Sequence, residues 1–204
     1  MKLKQLEMAL QRLAGFENPR ASLEQYQTPA PLAARLLYHA LMYGEIEGKR
    51  VADLGCGTGV LAIGAALLGA ASVTGVDIDE NALVVARKNA EILAAEVTFV
   101  AADLREGGCR DRFGTYDTVV MNPPFGAQKA HADRPFIDCA LAVSPVTYSI
   151  FNAGSLPFVE AYTAQRAEIT ETIGGAFPIR RTFAFHTKDV QEIEVEILRL
   201  KRIA

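Results

Sequence analysis

No apolar run in this sequence reaches the ~20 residues that a helix needs to cross a bilayer. The N-terminus has Lys2, Lys4, Glu7 and Arg12 spread through it, not the continuous apolar block of a signal peptide. Cysteine is scarce. Cys56, Cys109 and Cys139 are odd in number and have no metal-ligand spacing, so no metal centre is expected. Reduced thiols in a cytoplasmic setting are the expectation. An excess of cationic side chains is also missing. A formal net charge of -3 excludes a molecule that is basic all over, so any RNA contact must use a local patch or a partner's charge. No internal repeat and no low-complexity segment is visible. What remains is a globular composition, half apolar and 22% charged, in a chain of 204 residues that suits one domain.

The chain is organised around Val51-Ala52-Asp53-Leu54-Gly55-Cys56-Gly57-Thr58-Gly59. An apolar run enters an acidic residue and three alternating glycines, and an apolar segment from Val60 to Leu68 follows. That pattern reads as strand, tight turn, helix. A nucleoside-bearing cofactor is the natural occupant of such a turn at the carboxyl end of a parallel strand. A dinucleotide fingerprint is disfavoured, because the third glycine comes one residue early. A tight turn without a ligand stays open on these nine residues alone.

Around this stretch the periodicity predicts helices over 3–14 and from Thr28-Pro29 to about Gly44, with Thr28 as N-cap and Pro29 at the first helical position. Strands are expected at 51–54, 72–78, 96–101, 116–121, 146–151, 169–173 and 192–200. Helices follow the second strand and lie at 136–143 and 156–166, and 105–116 reads as a loop. The last two strands alternate, Val195 and Ile197 against Glu194 and Glu196, as antiparallel strands do when they close one edge of a sheet. The fold class is therefore α/β, a doubly wound, mostly parallel seven-stranded sheet, with a ligand above the first and fourth strands. Asp77, at the end of the second strand, suits ribose hydroxyls, while Asp79 suits the N-terminus of the next helix. Strand 97–101 is an uncharged edge and invites pairing.

Asn122-Pro123-Pro124-Phe125 closes the fourth strand. A planar exocyclic amine is a poor nucleophile because its lone pair is delocalised. The Asn122 side-chain oxygen and the Pro123 carbonyl can accept its two protons, proline keeps the turn rigid, and Phe125 offers a stacking face. The plain alternative is a proline turn ending a strand. Gln25-Tyr26 with Thr28-Pro29 is likewise either a capped loop or a lid over a cofactor.

The D-x-G-x-G-x-G run followed by Asn-Pro-Pro-Phe resembles class I S-adenosylmethionine-dependent amino-methyltransferases. With Glu24-Gln25-Tyr26, Thr28, Val76–Glu80, Val119–Gly126, Phe185-His186-Thr187-Lys188 and Ile193–Glu196, the chain is similar to the methyltransferase-like protein five family and its archaeal relatives. The resemblance implies a single Rossmann-like methyltransferase domain over 1–204, with 1–47 giving N-terminal helices and the lid and 48–204 the core. It implies methyl transfer from S-adenosyl-L-methionine to adenine N6 of small-subunit ribosomal RNA. Catalysis would fall to Asn122, Pro123, Pro124 and Phe125. The cofactor would be held by Gln25, Tyr26, Thr28, Asp53, Gly55, Cys56, Gly57, Gly59, Asp77, Ile78, Asp103 and Asn122. Asp103 would lie beside the adenine; its other reading is an aspartate of a strand-ending turn. Arg180, Arg181, Phe185, His186 and Lys188 would flank the RNA, or else form a hairpin whose aromatics join the core. A small zinc-binding activator subunit, or else a second copy of this chain, would pair with edge strand 97–101. Guanine N2, DNA adenine, a protein glutamine amide, or a non-catalytic scaffold are the alternatives.

Overall fold

The computed structural model describes residues 1–126, 131–180 and 190–203, with backbone only for 176–180 and 190–193. Seven strands form one sheet in the order β3-β2-β1-β4-β5-β7-β6. The strands are β1 (Arg50–Leu54), β2 (Ser72–Asp77), β3 (Thr98–Ala101), β4 (Thr118–Met121), β5 (Val146–Asn152), β6 (Ala167–Arg180) and β7 (Val190–Arg202). The first five are parallel, whereas β7 runs antiparallel to both β5 and β6. Helices α1 (Leu3–Leu10), α2 (Ala30–Met42), α3 (Val60–Leu67) and α4 (Glu80–Ile92) precede and follow the first strands; α5 (Cys109–Phe113), α6 (Arg134–Val143) and α7 (Leu156–Thr163) come later in the chain.

Alternation along each strand divides the core in two. Val51, Val120, Ile150 and Ile197 pack with Leu6, Leu36, Leu37 and Ile63 of α1–α3. Ala52, Val119, Met121 and Leu198 face the other way, against Ile137, Leu141 and Val159 of α6 and α7. Strands buried on both faces explain why β1 and β4 read as continuous apolar runs. Among the described strand residues, Asp53 of β1 and Arg199 of β7 are ionisable groups at inward positions. Arg199 of β7, 8% exposed, donates from Nη2 to Glu45 Oε1 at 2.5 Å and from Nε to the Tyr148 hydroxyl at 3.1 Å. The pairing satisfies a guanidinium that alternation places inside the protein.

Several expectations change. Helix α1 stops at Leu10, although Leu13 beyond it is still buried. Pro29, with φ -57° and ψ 135°, occupies the cap position of α2, which starts at Ala30 with Pro31 in its first turn. Thr28 therefore does not cap the helix; its hydroxyl is used elsewhere. The segment 105–116 is not all loop. A 3₁₀ turn (Leu104–Glu106) leads to Gly107 and Gly108, both at positive φ, and these turn the chain into α5, which buries Cys109. Cys109 of α5 and Cys139 of α6 form a disulfide across 30 residues, leaving Cys56 as the free cysteine. This corrects the expectation of reduced thiols. Linear spacing carries no trace of the packing of α5 on α6 that joins them. No described helix is long and apolar enough to cross a membrane.

Candidate active site

Sheet register brings the separate motifs together. Leu54 of β1 pairs with Val76 of β2 on one side and with Met121 of β4 on the other. Gly55 and Asn122 therefore leave the sheet side by side at its carboxyl end, next to Asp77, the last residue of β2, and this is the end where α/β sheets bind ligands. The glycine turn is held by the Gly55 and Cys56 amides, which both donate to the Val76 carbonyl at 2.8 and 3.0 Å. Gly55 and Gly57 have φ of 74° and 51°, and a Cβ would stand 2.7 Å from Phe136 and 2.8 Å from Phe16, respectively. Both the backbone conformation and the aromatic walls demand the absence of a side chain there.

A cleft opens above this turn. Gln25, Tyr26, Thr28, Asp53, Gly55, Cys56, Gly57, Asp77, Ile78, Asp103, Asn122 and Pro124 line it. So do Phe16, His131 and Phe136, which the sequence reading did not single out. The glycines pointed to a close approach, but nothing in the linear sequence says which aromatic approaches. Gly59 starts α3 away from the lining, and Pro123 and Phe125 are also outside it. Phe125 is half-buried against the α1–α3 core, with its ring 5.5 Å from that of Tyr26. The ring expected to stack on a base is thus in tilted contact with Tyr26 in this structure. Phe185, His186, Lys188 and Arg181 lie outside the described residues, and only the backbone of Arg180, the last residue of β6, is described.

The carboxylates differ in what holds them. Asp53 is 1% exposed; Oδ2 accepts the Ala62 amide at 2.9 Å, while Oδ1 is buried with no partner among the described residues. Burial pushes its pKa up to about 8, the Ala62 bond notwithstanding. An orphaned acceptor at the floor of a cleft is what a cationic ligand group would satisfy. Asp77 accepts the Gly57 and Asp79 amides, each at 2.8 Å. Burial still raises its pKa, outweighing those two bonds. Asp103 accepts the Arg105 amide at 2.9 Å and its guanidinium Nη2 at 2.6 Å; this last side-chain pairing, above all, lowers its pKa. Asp103 therefore caps its own turn, as the turn reading has it, and also lines the cleft. Asp79 caps α4 through the Asn81 amide, as expected.

The segment from Phe16 to Thr28 covers the cleft and is tied to the core at several points. Buried Gln25 donates from Nε2 to Asp79 Oδ2 at 2.7 Å and accepts the Arg20 amide on Oε1 at 2.8 Å, and Arg20 also pairs with Asp79 at 2.7 Å. Glu24 accepts the Gly126 amide at 3.1 Å. Asn122 accepts the Tyr26 hydroxyl on Oδ1 at 3.2 Å and donates from Nδ2 to Thr28 Oγ1 at 3.0 Å. Just before this segment, fully buried Asn89 of α4 donates to the carbonyls of Ala14 (3.0 Å) and Thr58 (2.9 Å) and accepts the Ala14 amide (2.9 Å).

The chain is similar to known proteins over most of its length. The model of the methyltransferase small domain matches residues 31–144. The rRNA N(6)-adenosine-methyltransferase METTL5 of Danio rerio is 36% identical over 204 residues, covering 98% of each chain. MJ0284 of Methanocaldococcus jannaschii is 40% identical, covering 100% of this chain and 95% of its own. The crystal structure of PH1948 from Pyrococcus horikoshii superposes with a TM-score of 0.91 at 40% identity, covering 100% of this chain and 99% of its own. The glycine turn, Asp77 and the Asn-Pro-Pro-Phe turn all lie inside or beside the matched stretch, and the chain belongs to the methyltransferase small domain family.

Proposed function

We propose that the protein transfers a methyl group from S-adenosyl-L-methionine to the N6 amine of an adenine in small-subunit ribosomal RNA, with all of 1–204 acting as one methyltransferase domain. The observation that carries this reading is the register that sets Asn122 beside the glycine turn at one end of the sheet. The names of full-length relatives from Danio rerio, Drosophila melanogaster and Caenorhabditis elegans, each an rRNA N(6)-adenosine-methyltransferase, support the substrate.

The residues present fit the cofactor. The unpartnered Asp53 Oδ1 suits its ammonium group, Asp77 its ribose hydroxyls, and Ile78 and Asp103 its adenine. When bound, the cofactor supplies an electrophilic methyl on a sulfonium. Asn122 Oδ1 has a second lone pair free for the target amine, and the Pro123 carbonyl can take its other proton. Both bonds draw the amine lone pair out of the ring. The amine that had accepted the methyl would carry an extra proton acidic enough to leave to water, so the chain need supply no strong base. Orientation is the main contribution of the chain.

RNA contact falls to Arg180, Arg181, Phe185, His186 and Lys188, with phosphate contacts that position the strand. The open edge of β3 suits strand addition by a small zinc-binding activator subunit. Among the described residues no cluster of His, Cys, Asp and Glu could hold a metal, so the zinc would be the subunit's own. A substrate of this kind makes the cytoplasm the site of action. The test is transfer of radiolabelled methyl to ribosomal RNA, DNA and protein, alone and with candidate subunits. Labelling of ribosomal RNA that Asn122→Ala abolishes is expected; labelling of DNA or protein instead would overturn the substrate.

A further inference from the structure

The Asn122 carboxamide has two ends of nearly equal size and opposite character. Oδ1 only accepts and Nδ2 only donates. A target amine brings N–H donors, so it can use Oδ1 and is repelled by Nδ2. Rotation of the carboxamide by half a turn would therefore spoil the site without moving any other atom.

Two hydroxyls from the covering segment hold its ends, Tyr26 at Oδ1 and Thr28 at Nδ2. They are not equivalent. A phenol is the stronger acid, hence the better donor and the poorer acceptor; the threonine hydroxyl serves either role. Burial raises the Tyr26 pKa, so the phenol keeps its proton across the working range of pH. The tilted contact with Phe125 fixes the ring that carries the hydroxyl.

We propose that Tyr26 is a positioning residue whose hydroxyl keeps Asn122 turned with Oδ1 toward its own donor, leaving the second lone pair of that oxygen for the target amine. This goes beyond a lid that merely covers the cofactor, and it rests on the amine methylation proposed above. Thr28 alone does not select the orientation.

The experiment combines side-chain amide NMR of the cofactor-free protein with a mutant cycle. In 15N-labelled protein the Asn122 side-chain signals, assigned by their loss in Asn122→Asp, form one sharp pair. In Tyr26→Phe they double or broaden, while backbone signals of β1 and β4 stay in place. In the transfer assay Tyr26→Phe lowers kcat about five- to tenfold, the worth of one hydrogen bond, with cofactor affinity unchanged within twofold. Thr28→Val costs less. In the Asn122→Asp background both ends of the side chain accept, so Tyr26→Phe changes the rate less than twofold. Sharp, unshifted Asn122 signals in Tyr26→Phe overturn the proposal, even in a protein with no transfer activity. So does a loss that appears as weaker cofactor binding, or one equal in both backgrounds. Failure of the proposed function is read separately, as wild-type protein that labels no amine.

Discussion

Replacing Gln25 by alanine should release the covering segment without unfolding the protein. The side chain is 7% exposed and makes two bonds, one to the ionised Asp79 and one from the Arg20 amide. A bond to a charged group is worth ~1.5–3 kcal/mol and a neutral one ~0.5–1.5 kcal/mol, so the loss is about 2–4.5 kcal/mol. At ~1.4 kcal/mol for each factor of ten, the segment opens roughly 30- to 1,600-fold more often. Amide hydrogen exchange measures this directly. The Leu23 and Glu24 amides donate to the Arg20 and Ala21 carbonyls inside the segment and should lose protection by that factor. Val119 and Val120 of β4, buried mid-sheet, should not change. An equal fall in β4 would mean that Gln25 supports the whole fold, and no fall in the segment would mean that its bonds do not hold it shut. Asp79 adds a pH dependence. Burial raises its pKa, but Gln25 and Arg20 outweigh burial and the net shift is downward. The tie is therefore intact above the ordinary carboxylate pKa of 3.8 and is lost as the pH falls through the lower folded value.

Two further outcomes are expected. Asp53 binds its proton more tightly folded than unfolded, so stability of the cofactor-free protein should fall as pH rises from 3.8 to about 8 and level off above. Urea melts should show that fall reduced in Asp53→Asn, and an identical fall in the variant would refute the role of this carboxyl. Opening the Cys109–Cys139 link, which closes a loop of 30 residues, should cost about 4 kcal/mol by loop entropy. Denaturant melts of Cys109→Ser/Cys139→Ser against the oxidised protein would measure it, and midpoints that coincide would contradict the estimate.

The parallel half of the fold was legible because each strand was a short apolar run ending in residues of unusual type: the glycines, Asp77, and Asn122 with two prolines. Of these, Gly55, Gly57, Asp77, Asn122 and Pro124 line the cleft, where chemistry and turn geometry coincide, while Gly59 and Pro123 do not. What escaped the reading depends on contacts between distant segments. Thr28 looked like a helix cap since Ser and Thr before proline often are; only the folded chain shows Asn122 claiming its hydroxyl. Gly107 and Gly108 suggested a loop, but the buried Cys109 anchors a short helix after them. Arg199 sits in an alternating strand at an apolar position, and its partners Glu45 and Tyr148 are remote in sequence. Phe125 was assigned to the cleft by its neighbours in the tetrapeptide, yet its ring turns to Tyr26 and the core.

Asn89 spends its whole side chain on two carbonyls and one amide, so the seam between Ala14 and the glycine turn tolerates no change of donor into acceptor. An aspartate there would face two carbonyl oxygens. The same seam makes the opening helix a fastener for the glycine turn: a shortened chain that begins beyond Ala14 would strand a buried amide and lose the grip of Leu6, Leu10 and Leu13 on the core. Protein engineers adding a tag or a fusion partner should therefore extend this terminus outward from Met1 and leave the first fourteen residues untouched.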